Sequence, residues 1–221
     1  MRTLIINGSP KGKNGNTEWF IKHFNSGFKE PCKVCYAAKE SGAHLAAYIR
    51  HFDTVILVMP LYIHAMPGIV MKLLECMEPA GESGKAMGFI VQSGFMESAQ
   101  SKYLERYLSA LAKRLNYACL GTVIRGGSTG VSVMPEKMNR KLLRRLRALG
   151  ERFELDGTFD KNLVSLISRP LTLSKAKCGL LQLMARMGLG DSMYWNHMLK
   201  SSKAFDKRFD RPFERHLTYD A

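Results

Sequence analysis

No apolar run in these 221 residues approaches the ~20 that a membrane-spanning helix needs. The opening Met1-Arg2-Thr3-Leu4-Ile5-Ile6 lacks the apolar core and cleavage site of a leader and reads directly as a strand, so a cytoplasmic address is expected. Cysteine is sparse. The five residues Cys32, Cys35, Cys76, Cys119 and Cys178 are odd in number and scattered through apolar segments, which argues against a secreted disulfide framework. Acidic residues are scarce as well, 19 against 33 Lys and Arg, for a net charge of +14. No Gly-Lys-Ser/Thr closes a Walker loop, and no G-x-G-x-x-G marks a dinucleotide fold. Internal repeats and low-complexity tracts are missing too. What remains is an ordinary globular composition, 46% hydrophobic and 24% charged.

The excess positive charge admits nucleic acid, an anionic membrane surface or anionic small ligands. Its densest stretch, Lys137, Arg140, Lys141, Arg144, Arg145 and Arg147, is interleaved with Leu142, Leu143, Leu146 and Leu149 at helical spacing. That is the solvated face of an amphipathic helix. No aromatic residue interrupts it, so a stacking platform for nucleic acid is not expected. Cys32-Lys33-Val34-Cys35 has the C-x-x-C spacing of a metal or redox pair, but no further ligands lie nearby in sequence. The alternation through Tyr36 reads as a half-buried strand, which is the preferred reading.

Strand and helix signals then alternate five times. Strands are expected over Thr3–Asn7, Pro31–Ala38, Asp53–Met59, Lys85–Gln92 and Ala118–Ile124. Helices are expected over Thr17–Phe28, Ala43–Phe52, Met66–Met77 (entered through Pro67), Ser98–Leu115 and Pro135–Phe153. Short connections between such units specify an α/β fold, a parallel sheet with helices on both faces. From Gly157 to Ala221 there are helical patches and no strand signal.

Ligands of a doubly wound sheet sit outside the carboxyl ends of its strands. The loops to read are therefore Asn7–Thr17, Pro60–Pro67, Gln92–Ser98 and Arg125–Pro135. The first is glycine-rich, runs straight into a helix, and adds Ser9, Asn16 and Thr17 as side-chain donors. A helix amino end with unsatisfied N–H groups and partial positive charge makes such a loop a phosphate cradle. The plainer alternative is a capped loop with Asn16 or Thr17 as N-cap. Pro60 stops its strand, and Leu61, Tyr62 and Ile63 offer apolar surface and backbone amides to a flat ring. Ser93-Gly94-Phe95 lets the backbone approach a ligand, with Phe95 as a stacking wall. Taken alone, these two loops also read as strand-end packing and a turn.

Gly8-Ser9-Pro10-Lys11 followed by Gly15-Asn16-Thr17 resembles the phosphate loop of the flavodoxin-like NAD(P)H-dependent FMN reductases and oxidoreductases. Pro60-Leu61-Tyr62 with Met66-Pro67-Gly68 and Lys72 looks like their second flavin loop, and Ser93-Gly94-Phe95 with Glu97 is similar to the third. All three stand at strand ends in the family's order. The tail segment Asp191–Trp195 also resembles extensions of some members. The resemblance implies a flavodoxin-like three-layer α/β/α sandwich, a five-stranded parallel sheet in the order 2-1-3-4-5, over residues 1–157. Residues 158–221 would form a mainly helical C-terminal extension that is not an independent domain.

It further implies FMN held by Ser9, Lys11, Asn16, Thr17, Pro60, Leu61, Tyr62, Ile63, Ser93, Gly94 and Phe95, with no catalytic side chain required. No role is carried over to His64, which is either a loop histidine or a group that stabilises negative charge near the ring. Cys32 and Cys35 are too few for the cluster ligands of iron–sulfur relatives. The implied activity is ping-pong electron transfer. NAD(P)H reduces FMN, which reduces a quinone, flavin, nitro or azo compound or metal ion. Two rival readings are a flavodoxin-type electron carrier, for which the basic composition is unsuited, and a flavin-free scaffold. By the same resemblance the protein is expected to be a homodimer, with the apolar tail stripe Leu180, Leu181, Leu183, Met184, Met187, Leu189 and on to Met198 clasping a second subunit or packing on its own domain.

Overall fold

The computed structural model describes residues 2–81, 84–188 and 196–211. Five parallel strands form one sheet: β1 (Thr3–Asn7), β2 (Lys33–Tyr36), β3 (Thr54–Pro60), β4 (Ala86–Gln92) and β5 (Ala118–Arg125). Their order is β2-β1-β3-β4-β5, the order expected. Every residue of β1 and β3 is buried, because these central strands are covered on both faces. Side chains alternate between the two layers. Leu4, Ile6, Val55, Leu57, Met59, Phe89 and Val91 face α2 (Gly42–Ile49), α3 (Gly68–Glu75) and α4 (Lys102–Arg114). Ile5, Ile56, Val58, Ile90 and Val123 face α1 (Asn16–Asn25), α5 (Glu136–Asp156) and α6 (Lys161–Ile167).

The C-x-x-C pair is divided by the same alternation. Cys35 joins the α2–α3 layer and Cys32 packs on the α1–α5 layer, so their thiols lie on opposite faces of the sheet. Burial pushes each up to about 11, with Glu154 adding to the effect on Cys32 and Glu40 on Cys35. Neither is a ready thiolate.

The basic run of α5 lies as the sequence indicates except at Arg145, which is half-buried and donates to Leu166 O. Leu142, Leu146, Leu149 and Phe153 are buried, while Lys137, Arg140, Lys141, Arg144 and Arg147 face water. Gly27, just past α1, and Gly150 of α5 let the two backbones meet. A Cβ at Gly150 would stand 2.0 Å from the Phe24 carbonyl oxygen, and one at Gly27 would stand 2.2 Å from that of Arg147.

Two compact units are present, Met1–Thr172 and Leu173–Ala221. The boundary expected at residue 157 falls inside the first of them. Ile167 is fully buried with Leu163 and Val164 against the α1–α5 core, and Arg145 Nη1 donates to Leu166 O at 2.7 Å. Ser98 N and Ala99 N then donate to Pro170 O (3.1 Å) and Leu171 O (3.0 Å), tying this segment to the loop after β4. The second unit contains α7 (Lys175–Arg186) and α8 (Asn196–Ser201). Leu189, the Asp191–Trp195 likeness and the Met198 side chain lie outside the described residues.

Candidate functional site

Three loops converge at the carboxyl edge of β1, β3 and β4, and a fourth, after β5, braces them. Asn7 organises the first loop. This fully buried residue accepts from Ser9 N (2.9 Å) and donates to Gly12 O (3.2 Å) and Glu18 Oε2 (2.8 Å). Glu18 Oε1 accepts from the Tyr36 hydroxyl at 3.0 Å. Burial, together with that carboxylate, pushes Tyr36 up to about 12. Gly12 turns the loop with φ +53, and Gly15, in extended backbone, is the N-cap of α1. Asn16 and Thr17, the caps of the plainer alternative, therefore lie one and two steps inside the helix. Gly15 supplies no side-chain bond, so the first N–H groups of α1 have no cap.

The side chains of this loop divide by role. Ser9 is buried and its Oγ accepts from Lys11 N at 3.3 Å, while Lys11 is exposed. Thr17 is wholly buried, and its Oγ1 accepts from Gln92 Nε2 at 3.3 Å. Asn16 is committed across the site: its Nδ2 donates to Ser128 O (2.7 Å), and its Oδ1 accepts from Ser132 Oγ (2.7 Å) and Ser132 N (3.3 Å). Gln92, Ser128 and Ser132 were not singled out from the sequence. The available signals were a polar residue ending an apolar strand and the Gly126-Gly127-Ser128-Thr129-Gly130 run.

Pro60 is the last residue of β3, and the ladder continues one residue further through Leu61 N to Gln92 O at 2.8 Å. Pro67 is the N-cap of α3 rather than its first-turn residue. Between them, Tyr62 and Ala65 exchange both backbone hydrogen bonds (2.8 and 2.9 Å) around Ile63 and His64. These two have φ of +47 and +62, the left-handed pair of a type I′ turn. A β-branched residue there is strained. Ile63 is 90% exposed, so packing does not hold it in place. Ile63→Asn is accordingly expected to raise stability by about 1 kcal/mol, and thermal melting of the variant reads the gain directly. A lowered melting point would contradict the strain.

Beside this turn, Leu61, Tyr62, Ile63, Gly94 and Phe95 line an open cavity of ≈ 700 Å³. The His64 and Phe95 rings lie parallel, centroids 6.0 Å apart and planes within 6°, at its rim. Ser93, 2% exposed, has a hydroxyl with no hydrogen-bond partner. Thr129 Oγ1 donates to Gly94 O at 3.3 Å, holding the third loop to the fourth. All eleven residues expected at the site stand on these loops, but Asn16 and Thr17 spend their side chains on neighbouring protein atoms.

No family model and no curated protein matches the sequence. Solved structures do match. A putative quinone reductase from Klebsiella pneumoniae superposes with TM-score 0.55 at 13% identity, over 72% of this chain and 86% of its own. An NADPH-quinone reductase from P. pentosaceus gives 0.52 at 21%, over 66% and 96%. The chain has the flavodoxin-like fold. A third structure of this fold, an FMN-dependent NADH-azoreductase from Bacillus anthracis in complex with FMN, gives 0.51 at 16%, over 69% and 98%.

The donor set of this flavodoxin-like chain fits FMN. A phosphate monoester asks for N–H donors and positive charge, which the uncapped α1 and Lys11 could supply. A flat conjugated ring asks for an apolar slot with a few polar atoms, which the cavity and the unpaired Ser93 hydroxyl could supply.

Proposed function

We propose that the protein is an FMN-dependent NAD(P)H oxidoreductase acting on a small acceptor such as a quinone, flavin, nitro or azo compound or metal ion. The observation that carries this is the pairing, at one sheet edge, of an uncapped helix amino end with an open apolar cavity. The solved structures of the same fold named above, a quinone reductase and an FMN-dependent azoreductase, support it. When bound, FMN supplies the chemistry, taking hydride from the nicotinamide nucleotide and passing electrons to the acceptor.

The chain's own residues bind and orient. The N–H groups opening α1, that of Thr17 among them, hold the phosphate with Ser9 and Lys11, and the Asn16 and Thr17 side chains fix the loop beneath it. Pro60, Leu61, Tyr62 and Ile63 bound one side of the ring and Ser93, Gly94 and Phe95 the other. No side chain is asked to move a proton. The acting form is a homodimer, for which the exposed Met71, Tyr103 and Tyr107 around an apolar cavity of ≈ 800 Å³ between α3 and α4 provide a surface. The free cysteines favour a reducing cytoplasm.

Titration of the apoprotein with FMN, FAD and riboflavin is the test. FMN is expected to bind at micromolar Kd or tighter, roughly −8 kcal/mol. Riboflavin, lacking the phosphate, should bind weaker by about 10–100-fold. Failure of FMN to bind in this range, or equal affinity for riboflavin, removes the phosphate-loop reading.

A further inference from the structure

In the second unit, α7 carries an apolar stripe that is exposed. Its sequence, Lys175 to Arg186, contains no acidic residue, and none of its residues is buried. At about 100° per residue, Leu180, Leu183 and Met187 form one stripe, and they are 58%, 53% and 59% exposed. Such a stripe marks a surface that meets something other than water. Lys175 and Arg186 flank it on one side and Lys177 on the other, each about 90–110° round the helix from its centre.

The flanking charges say what the cover is. Residues 173–221 carry nine Lys or Arg against five Asp or Glu, and the whole chain is +14. A second copy laid isologously on this face would set cation against cation. An anionic lipid surface offers both things that α7 asks for: an acyl boundary for the leucines, and phosphates for long cationic side chains that snorkel beside them. Phe209, 80% exposed with the Arg208 guanidinium 4.7 Å above its ring, repeats the pairing of apolar surface and cation in the same unit. We propose that α7 is an interfacial helix that docks the protein on an anionic membrane surface, its Leu180–Leu183–Met187 stripe in the headgroup–acyl boundary.

The experiment is co-sedimentation of the full chain with vesicles of phosphatidylcholine plus phosphatidylglycerol and with vesicles of phosphatidylcholine alone. Binding is expected to the first, falling as salt screens the charges. Lys175→Gln, Lys177→Gln and Arg186→Gln together should lower partitioning about 100-fold, near five-fold per cation. Leu183→Glu should abolish it. All four side chains lie on a helix without buried residues, and unchanged melting of each variant verifies that the fold is intact. No binding to the anionic vesicles, or equal binding to both kinds, overturns the proposal. So does a Leu183→Glu protein that halves its mass by light scattering yet still binds vesicles, since the stripe would then serve a second copy.

Discussion

Gly150→Ala should destabilise the first unit by about 3 kcal/mol or more, because overpacking against rigid backbone has no side chain to rotate away. The new methyl would stand 2.0 Å from the Phe24 carbonyl oxygen and 3.2 Å from the Gly27 Cα, so α1 and α5 would have to separate along their crossing. That crossing seats the aromatic cluster in which Phe24 meets Phe153 at 5.8 Å and Phe159 at 6.2 Å. Parting the helices would loosen those contacts too. For a domain of this size each kcal/mol lowers the melting temperature by roughly 2–4 °C, so a fall of roughly 6–12 °C is expected by calorimetry or circular dichroism. Gly68→Ala is the control, since a Cβ there meets nothing within 4 Å. A Gly150→Ala protein melting with the wild type would mean that the helices slide freely, contrary to the close approach described.

The second large effect is expected at Asn16. Its amide makes three hydrogen bonds to Ser128 and Ser132, 112 and 116 residues away in sequence. Asn16→Ala removes all three and leaves the Ser128 carbonyl with only the Val131 N–H at 3.3 Å, a loss of about 2–3 kcal/mol at about 1 kcal/mol per bond. Two readouts separate structure from ligand. Proteolysis of the apoprotein should accelerate within residues 126–134, and FMN affinity should fall about 10–100-fold. Asn16→Asp should do no better, because it cannot donate to Ser128 O and brings negative charge to the proposed phosphate. Unchanged cleavage in the Ala variant would show that Asn16 does not hold the fourth loop.

The central strands are legible in the sequence because burial on both faces leaves a continuous apolar run, as in Thr54–Met59. The site loops are legible because strand ends in such a sheet mark where ligands bind, and the glycines of Gly8–Gly15 announce a loop that wraps something. Other features hide for physical reasons. Asn16 reads as a donor to phosphate, and nothing within its own segment reveals a partner more than a hundred residues on. The Tyr62–Ala65 turn escapes because its left-handed pair is Ile63 and His64, with no glycine or asparagine to mark it. The place of α6 in the first unit depends on tertiary burial of Ile167 and on carbonyls caught by Arg145 and Arg125, which no local pattern encodes. Ser93 reads as a turn residue, and its unpaired hydroxyl emerges only once the strands enclose it.

The bonds from Asn16 to Ser128 and Ser132 also set an order of events during synthesis. The loop between β1 and α1 leaves the ribosome before its brace, which lies beyond β5, behind every other strand of the sheet. Until residue 132 has emerged and β5 has paired with β4, the first loop stands at the sheet edge without the partners that fix Asn16. Loading of the proposed ligand at that edge therefore belongs to the finished domain, after β5 and the fourth loop are in place.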